Sequence, residues 1–414
     1  MLIYITNREL PATPTVRTKK IAVKKIGQKL NTTRAGGFDR IITGLAAADF
    51  KSITFYPRGK ESDLFDKIPA AELNKPWLVF LHGFHQDPAE TVEKARLLEQ
   101  IHKVNVVLFA WPSHPVPIKS FDMDKIKSEL KSYVKSMMFG LVRADLITML
   151  LTEIKNLIKD FISNYKPARK NAEKSTDDFY AALSLLDEQL LPRVGVKRLS
   201  LIVHSMGNYL LERTLYDKNG LPVMFQNIIS HEADVKASNH ASWFTAVFGY
   251  SVNKVYITVN AADSVLAASN ILHRFFKEKD TSRLGQSTRL KPDGVHQGYI
   301  QKLVSYIDFT DGEGIDCEHE IFTRDSSQVD ENIVALLGRI FRGESDRLPA
   351  RKGRSKSGFS MMPTVPMVFK PQWIVEDENL HDDDYDYDFL IRSLDEFTDP
   401  FKAEPEFDPD LDDD

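Results

Sequence analysis

From residue 77 onward, short apolar runs alternate with stretches whose apolar residues recur at helical spacing. That alternation is the sequence sign of βα units and of a mainly parallel sheet. Strands are expected at Trp77 to His82, Val104 to Trp111, Arg198 to His204, Phe225 to Ser230, Lys254 to Val259 and Val304 to Phe309, with Leu2 to Thr6 and Ser52 to Tyr56 joining them. One helix start is sharply marked. Asp87 can cap free amides, Pro88 has a preset φ and no N–H to leave unmet, and Glu90 completes a capping box, so a helix should run to near His102. Another should follow Ser205, its Leu210, Leu211 and Leu215 packing against the sheet behind the serine.

Two regions break this rhythm. Residues 116–190 separate two strands by about 75 residues where a single helix would suffice. Within them Val134, Met137, Met138 and Leu141, then Ile147, Leu150, Ile154, Ile158 and Phe161, follow helical spacing, which predicts an insertion of amphipathic helices. After residue 341 the pattern fades into RLPARKGRSKSG, a linker by composition over 342–375, and then into an acidic tail over 376–414. The globular body is therefore expected to span residues 1–341.

Charge sharpens that division. The tail carries 18 acidic and two basic residues, a net of −16 against −5 for the whole chain, which leaves +11 on the body. Body and tail can pair with each other, or the tail can engage a basic protein partner. The overall charge and composition are those of an ordinary soluble globular protein and single out no nucleic-acid partner. Cys317 is the single cysteine, which excludes an intramolecular disulfide or a thiolate zinc cluster and favours a reducing compartment. The N-terminal MLIYITNREL lacks the basic start and apolar core of a secretory signal, and no apolar stretch reaches an uncharged membrane span, so the cytoplasm is the expected location.

The chemistry centres on IVHSMGNYLL, residues 202–211. Ser205 directly follows an apolar strand and precedes a helix, the context that exposes a serine at the carboxyl edge of a sheet. Val203 stands where the G-x-S-x-G motif has its first glycine, whereas Gly207 is retained. A serine nucleophile needs a base, an acid to orient it and donors for the oxyanion. Phosphate-loop motifs are absent, and Asp384, Asp386 and Asp388 imitate a calcium loop only in part, since Phe389 occupies its glycine position. No metal or organic cofactor is expected.

In this setting the chain resembles the α/β-hydrolase superfamily, in particular a lipase- or esterase-like branch of uncharacterised bacterial proteins. The resemblance rests on TNR (Thr6 to Arg8), FLHGF (Phe80 to Phe84), AWPS (Ala110 to Ser113), HSMGN (His204 to Asn208), AAD (Ala261 to Asp263), RLG (Arg283 to Gly285) and a late histidine, His319. It implies an α/β-hydrolase fold with a mainly parallel sheet flanked by helices, the insertion at 116–190 lying as a lid over the serine. It also implies Ser205 as nucleophile, Asp263 as acid and His319 as base, in the superfamily's chain order. The backbone N–H groups of Met206 and Phe84 would form the oxyanion hole.

Alternatives stay open at several of these positions. Asp263 can equally be a helix N-cap, because Ser264 begins an apolar run, and Glu232 and Asp234 are then the alternative acids. His82 and His204 read as structural hydrogen-bonding residues. The expected activity is cleavage of a carboxylic ester of a small molecule or lipid through an acyl-enzyme. The alternative is a non-catalytic scaffold on a hydrolase fold that acts through its acidic tail.

Overall fold

Seven strands run parallel in the order β10-β9-β8-β7-β5-β6-β1: β1 Leu2–Thr6, β5 Trp77–Leu81, β6 Asn105–Ala110, β7 Leu199–His204, β8 Phe225–His231, β9 Ser251–Val259 and β10 Val304–Asp308. Antiparallel strands extend both edges. β2 Lys19–Ala22, β3 Ile42–Ala46 and β4 Ser52–Phe55 continue from β1, and β11 Ser360–Met361 pairs with β10. The computed structural model describes residues 1–113, 163–218, 220–238, 240, 251–275, 281–286, 304–310, 312–316, 318–344 and 360–361. The amphipathic positions 134–161 and the acidic tail lie outside the described residues.

β5, β6 and β7 are buried along their whole length, as parallel strands covered on both faces must be. Alternation assigns the faces. Leu78, Phe80, Val106, Leu108, Ile202, Ile229, Tyr256 and Ile307 pack with Val92, Ala95 and Leu98 of the helix Pro88–His102 and with Ile333, Leu336 and Leu337 of the helix Glu331–Phe341. Intervening residues point the other way, where Phe109 meets Phe179 of the helix Thr176–Gln189 at 5.2 Å between rings. That helix packs on Gly207–Lys218, the helix that follows Ser205.

The start of the Pro88–His102 helix follows its sequence signature. The Asp87 side chain accepts from the Glu90 N–H at 2.8 Å, and the Glu90 carboxylate accepts from the Asp87 N–H at 2.8 Å. Residues 163–190, the last part of the 116–190 stretch, join the body: Phe179, Leu183 and Leu186 of Thr176–Gln189 are buried. The rest of that stretch, up to residue 162, lies outside the described residues. No helix among the described residues is long and apolar enough to cross a membrane.

The chain runs from β5 outward to β6, then returns to the other side of β5 as β7. This reversal makes a topological switch point at the carboxyl ends of β5 and β7, where open α/β sheets place their ligand sites. The HGF turn and the HSMG turn both emerge there.

Candidate active site

Ser205 follows β7 directly and adopts φ 52, in the left-handed region that a residue with a Cβ rarely enters. Such strain persists only where surrounding structure fixes it. Here the fixation is explicit. The Ser205 N–H donates to the His231 carbonyl at 3.1 Å, and its carbonyl accepts from the N–H groups of Asn208 at 3.0 Å and Asp234 at 3.2 Å. Asn208 adds a side-chain brace, its Nδ2 donating to the carbonyls of Val203 at 3.0 Å and Ser205 at 3.2 Å while its Oδ1 accepts from Ser230 Oγ at 2.7 Å. Val203 is buried within β7, in register with Leu81 and Ser230, and the serine keeps its left-handed turn beside it.

Two glycines allow the close approach of the two turns. A Cβ on Gly83 would lie 2.7 Å from the Ser205 Cβ, and one on Gly207 would lie 2.8 Å from the His82 carbonyl oxygen. The HGF turn therefore rests directly on the serine elbow. Phe84 follows that turn, its ring edge-on to Tyr165 at 5.5 Å. Met206 is buried at the entry to the Gly207–Lys218 helix, whose first N–H groups have no acceptor within the helix.

Asp263 and His319, 56 residues apart in sequence, meet after β9 and β10, with His319 Nδ1 2.5 Å from Asp263 Oδ2. The other oxygen, Oδ1, accepts from the N–H groups of Val265 at 2.8 Å and Leu266 at 3.0 Å, capping the helix Ser264–Phe275. Asp263 is thus both cap and histidine partner, one oxygen to each role. His319 is packed against the serine elbow, its ring 4.6 Å from that of His204. The acidic neighbours of His319 in sequence turn elsewhere: Glu318 binds Arg324 and Glu320 binds Lys94.

The two alternative acids separate. Asp234 accepts from Tyr165 Oη at 2.8 Å and from Ser269 Oγ at 2.6 Å, with Arg283 Nε at 4.0 Å, so its carboxylate serves a polar network beside the elbow. Glu232 is fully buried at φ 43, its Oε2 3.6 Å from both His319 Nδ1 and His231 Nε2. His204, Glu232 and His319 bring ligand-type atoms within 4.8 Å of one another. Asp263 engages His319 Nδ1 and a backbone carbonyl engages His204 Nε2, which leaves the second nitrogen of each ring outside those two bonds.

The sequence matches, over residues 59–338, the family described as alpha/beta hydrolase of unknown function (DUF900). The chain belongs to this family. The match takes in the HGF turn, the serine elbow, Asp263 and His319, and leaves β1 and the TNR segment outside it. A crystal structure of an esterase/lipase from an uncultured bacterium is similar at 12% identity and a TM-score of 0.31, over 80% of this chain and 86% of that one. No curated protein matches.

Around the elbow, this hydrolase-family chain buries several histidines in neutral form. His82 Nδ1 donates to the Gly83 carbonyl at 2.9 Å, and its ring stacks on Trp111. His204 Nε2 donates to the His319 carbonyl at 2.7 Å, which secures the loop carrying His319. Burial pushes His82 and His204 well below the usual histidine range, takes His231 down to about 3 and His102 down to about 4. The Arg8 guanidinium adds to the shift at His82.

A pH dependence follows from these four residues. A folded pKa below the unfolded value means that the unfolded chain binds more protons, so stability is complete above pH 6.5 and is lost as pH falls toward 4 and 3. Each such histidine costs on the order of 1 kcal/mol per pH unit inside its window, and all four act in the same direction. Urea unfolding midpoints between pH 7.5 and 4.5 are expected to collapse below about pH 5.5. A flat profile down to pH 5 would show that these rings titrate normally.

Proposed function

We propose that the protein is a serine hydrolase that cleaves carboxylic esters through an acyl-enzyme on Ser205. The observation that carries this reading is a strained serine at the sheet's switch point, with a buried histidine–aspartate pair packed on the same elbow. Because Asp263 holds Nδ1 of His319, Nε2 is the nitrogen left to act as base. Ser205 Oγ attacks the ester carbonyl carbon and passes its proton to that nitrogen. The tetrahedral oxyanion is held by the N–H groups of Met206 and Phe84. Collapse breaks the bond to the leaving alkoxide, which takes the proton from His319. Water then attacks the acyl-enzyme with His319 again as base, releasing the carboxylic acid and restoring the serine.

The substrate is a small-molecule or lipid ester, and the mechanism calls for no metal or organic cofactor. A fluorophosphonate probe tests the nucleophile directly. Peptide mapping is expected to place a single adduct on Ser205, and a chain that stays unlabelled would overturn the reading. A series of p-nitrophenyl esters from acetate to longer chains then tests the preference for apolar acyl groups, with preference for acetate counting against a lipid.

A further inference from the structure

The TNR segment lies at the carboxyl edge of the sheet, and each of its side chains fastens a different part of the chain. Thr6 Oγ1 donates to the Ala110 carbonyl at 2.6 Å, at the start of AWPS. Asn7 Nδ2 donates to Ser175 Oγ at 2.9 Å and to Asp178 Oδ2 at 2.8 Å, at the Thr176–Gln189 helix. Arg8 Nη2 donates to the Gln86 carbonyl at 2.9 Å, in the loop that follows the HGF turn.

Arg8 is the costly member. It is fully buried, and its Nε and Nη1 have no hydrogen-bond partner among the described residues. A buried guanidinium is costly to desolvate, and burial alone does not explain its presence. Its position does. The loop from Gly83 to Asp87 passes through His85 at φ 56, a left-handed residue immediately after Phe84. Such a loop relaxes unless it is held on both sides.

On one side Ser113 of AWPS holds it, its carbonyl accepting from His85 N–H at 3.2 Å and its Oγ from Gln86 N–H at 3.1 Å. On the carbonyl side of the same residue, the Gln86 oxygen accepts from Arg8 Nη2 at 2.9 Å and, more distantly, from Ser113 Oγ at 3.3 Å. The Gln86 side chain reaches Glu320, next to His319, with Nε2 3.4 Å from Oε1. The loop that carries the Phe84 N–H and the loop that carries His319 are therefore braced together.

We propose that Arg8 is a positioning residue, pinning the 83–87 loop through the Gln86 carbonyl so that the Phe84 N–H stays aimed at the oxyanion formed on Ser205. The inference rests on the serine-hydrolase reading above. Its charge also reaches the turn: beyond burial, the Arg8 guanidinium helps to keep His82 neutral. Misplacing one oxyanion donor affects the transition state and spares the bound ester.

The test is steady-state hydrolysis of a p-nitrophenyl ester by the full chain carrying Arg8→Met, with thermal unfolding measured in parallel. The expected result is a kcat lower by about ten- to a hundredfold, a KM changed by less than about threefold and an unchanged or raised Tm. Arg8→Lys, which keeps the charge and a donor, is expected to fall between wild type and Arg8→Met. If Arg8→Met does not fold, Arg8→Gln is measured with the same outcomes. Wild-type kcat, or a loss matched by an equal loss of folded protein, would overturn the role of Arg8 while wild-type turnover upholds the hydrolase reading. A wild type that neither hydrolyses the ester nor labels at Ser205 overturns that reading and the role of Arg8 with it.

Discussion

Alanine at Ser205 is expected to lower kcat for ester hydrolysis by about a millionfold, and alanine at His319 by a similar factor, because a nucleophile and its base act as one unit. The double variant should be no worse than either single one, since removing half of the unit already removes its contribution. Stability separates the two changes. Ser205→Ala keeps a Cβ at the same strained φ and should melt near wild type, whereas His319→Ala removes the partner of a buried carboxylate and should melt lower. The comparison is made as kcat on folded protein, with circular dichroism confirming the fold. Residual turnover in Ser205→Ala near the wild-type rate would assign the activity to another group or a contaminant. A wild type without turnover would leave the non-catalytic scaffold as the better description.

Legibility in the sequence followed the strength of local patterning. β5, β6 and β7 lie where continuous apolar runs predict them, because strands buried on both faces carry no polar alternation to blur their limits. The helix Pro88–His102 begins at its capping box for the same reason, three residue types at fixed offsets with one geometric meaning. β2 and β3 were not legible. Lys19–Ala22 is short and half exposed at the sheet edge, and Ile42–Ala46 contains Gly44, so pairing with β4 and β1 decides both strands.

In the candidate site, chain order pointed to the Asp263 and His319 that the fold brings together, but it could not show how one carboxylate serves both a helix and a histidine. Asn208 was visible only as part of HSMGN. Its brace across Val203, Ser205 and Ser230 depends on β8 lying beside β7, a contact that no local pattern encodes. The strain at Glu232 and at His85 is likewise invisible in sequence, since neither residue type announces a left-handed backbone. The departure at Val203 from the glycine pattern had the opposite outcome: it looked disruptive locally, yet the valine sits in β7 and the turn at Ser205 persists.

The two carboxylates near His319 give the second large effect. Asp263→Asn is expected to lower kcat by about ten-thousandfold, and Glu232→Gln by roughly tenfold or less. The asymmetry comes from hydrogen-bond direction. Asp263 accepts three bonds, two from the amides that open the Ser264–Phe275 helix and one from His319 Nδ1. Asparagine cannot accept all three. With its amide turned toward His319 it donates to Nδ1, which forces the proton onto Nε2 and blocks that nitrogen as a base. Turned the other way, its NH2 faces the N–H groups of Val265 and Leu266, a donor against donors in a buried site. Either orientation costs activity or stability, whereas glutamine at 232 stays 3.6 Å away and leaves the Asp263 contact intact. Measuring kcat against pH for both variants checks the assignment: loss concentrated in Glu232→Gln, with Asp263→Asn active, would transfer the role of acid to Glu232.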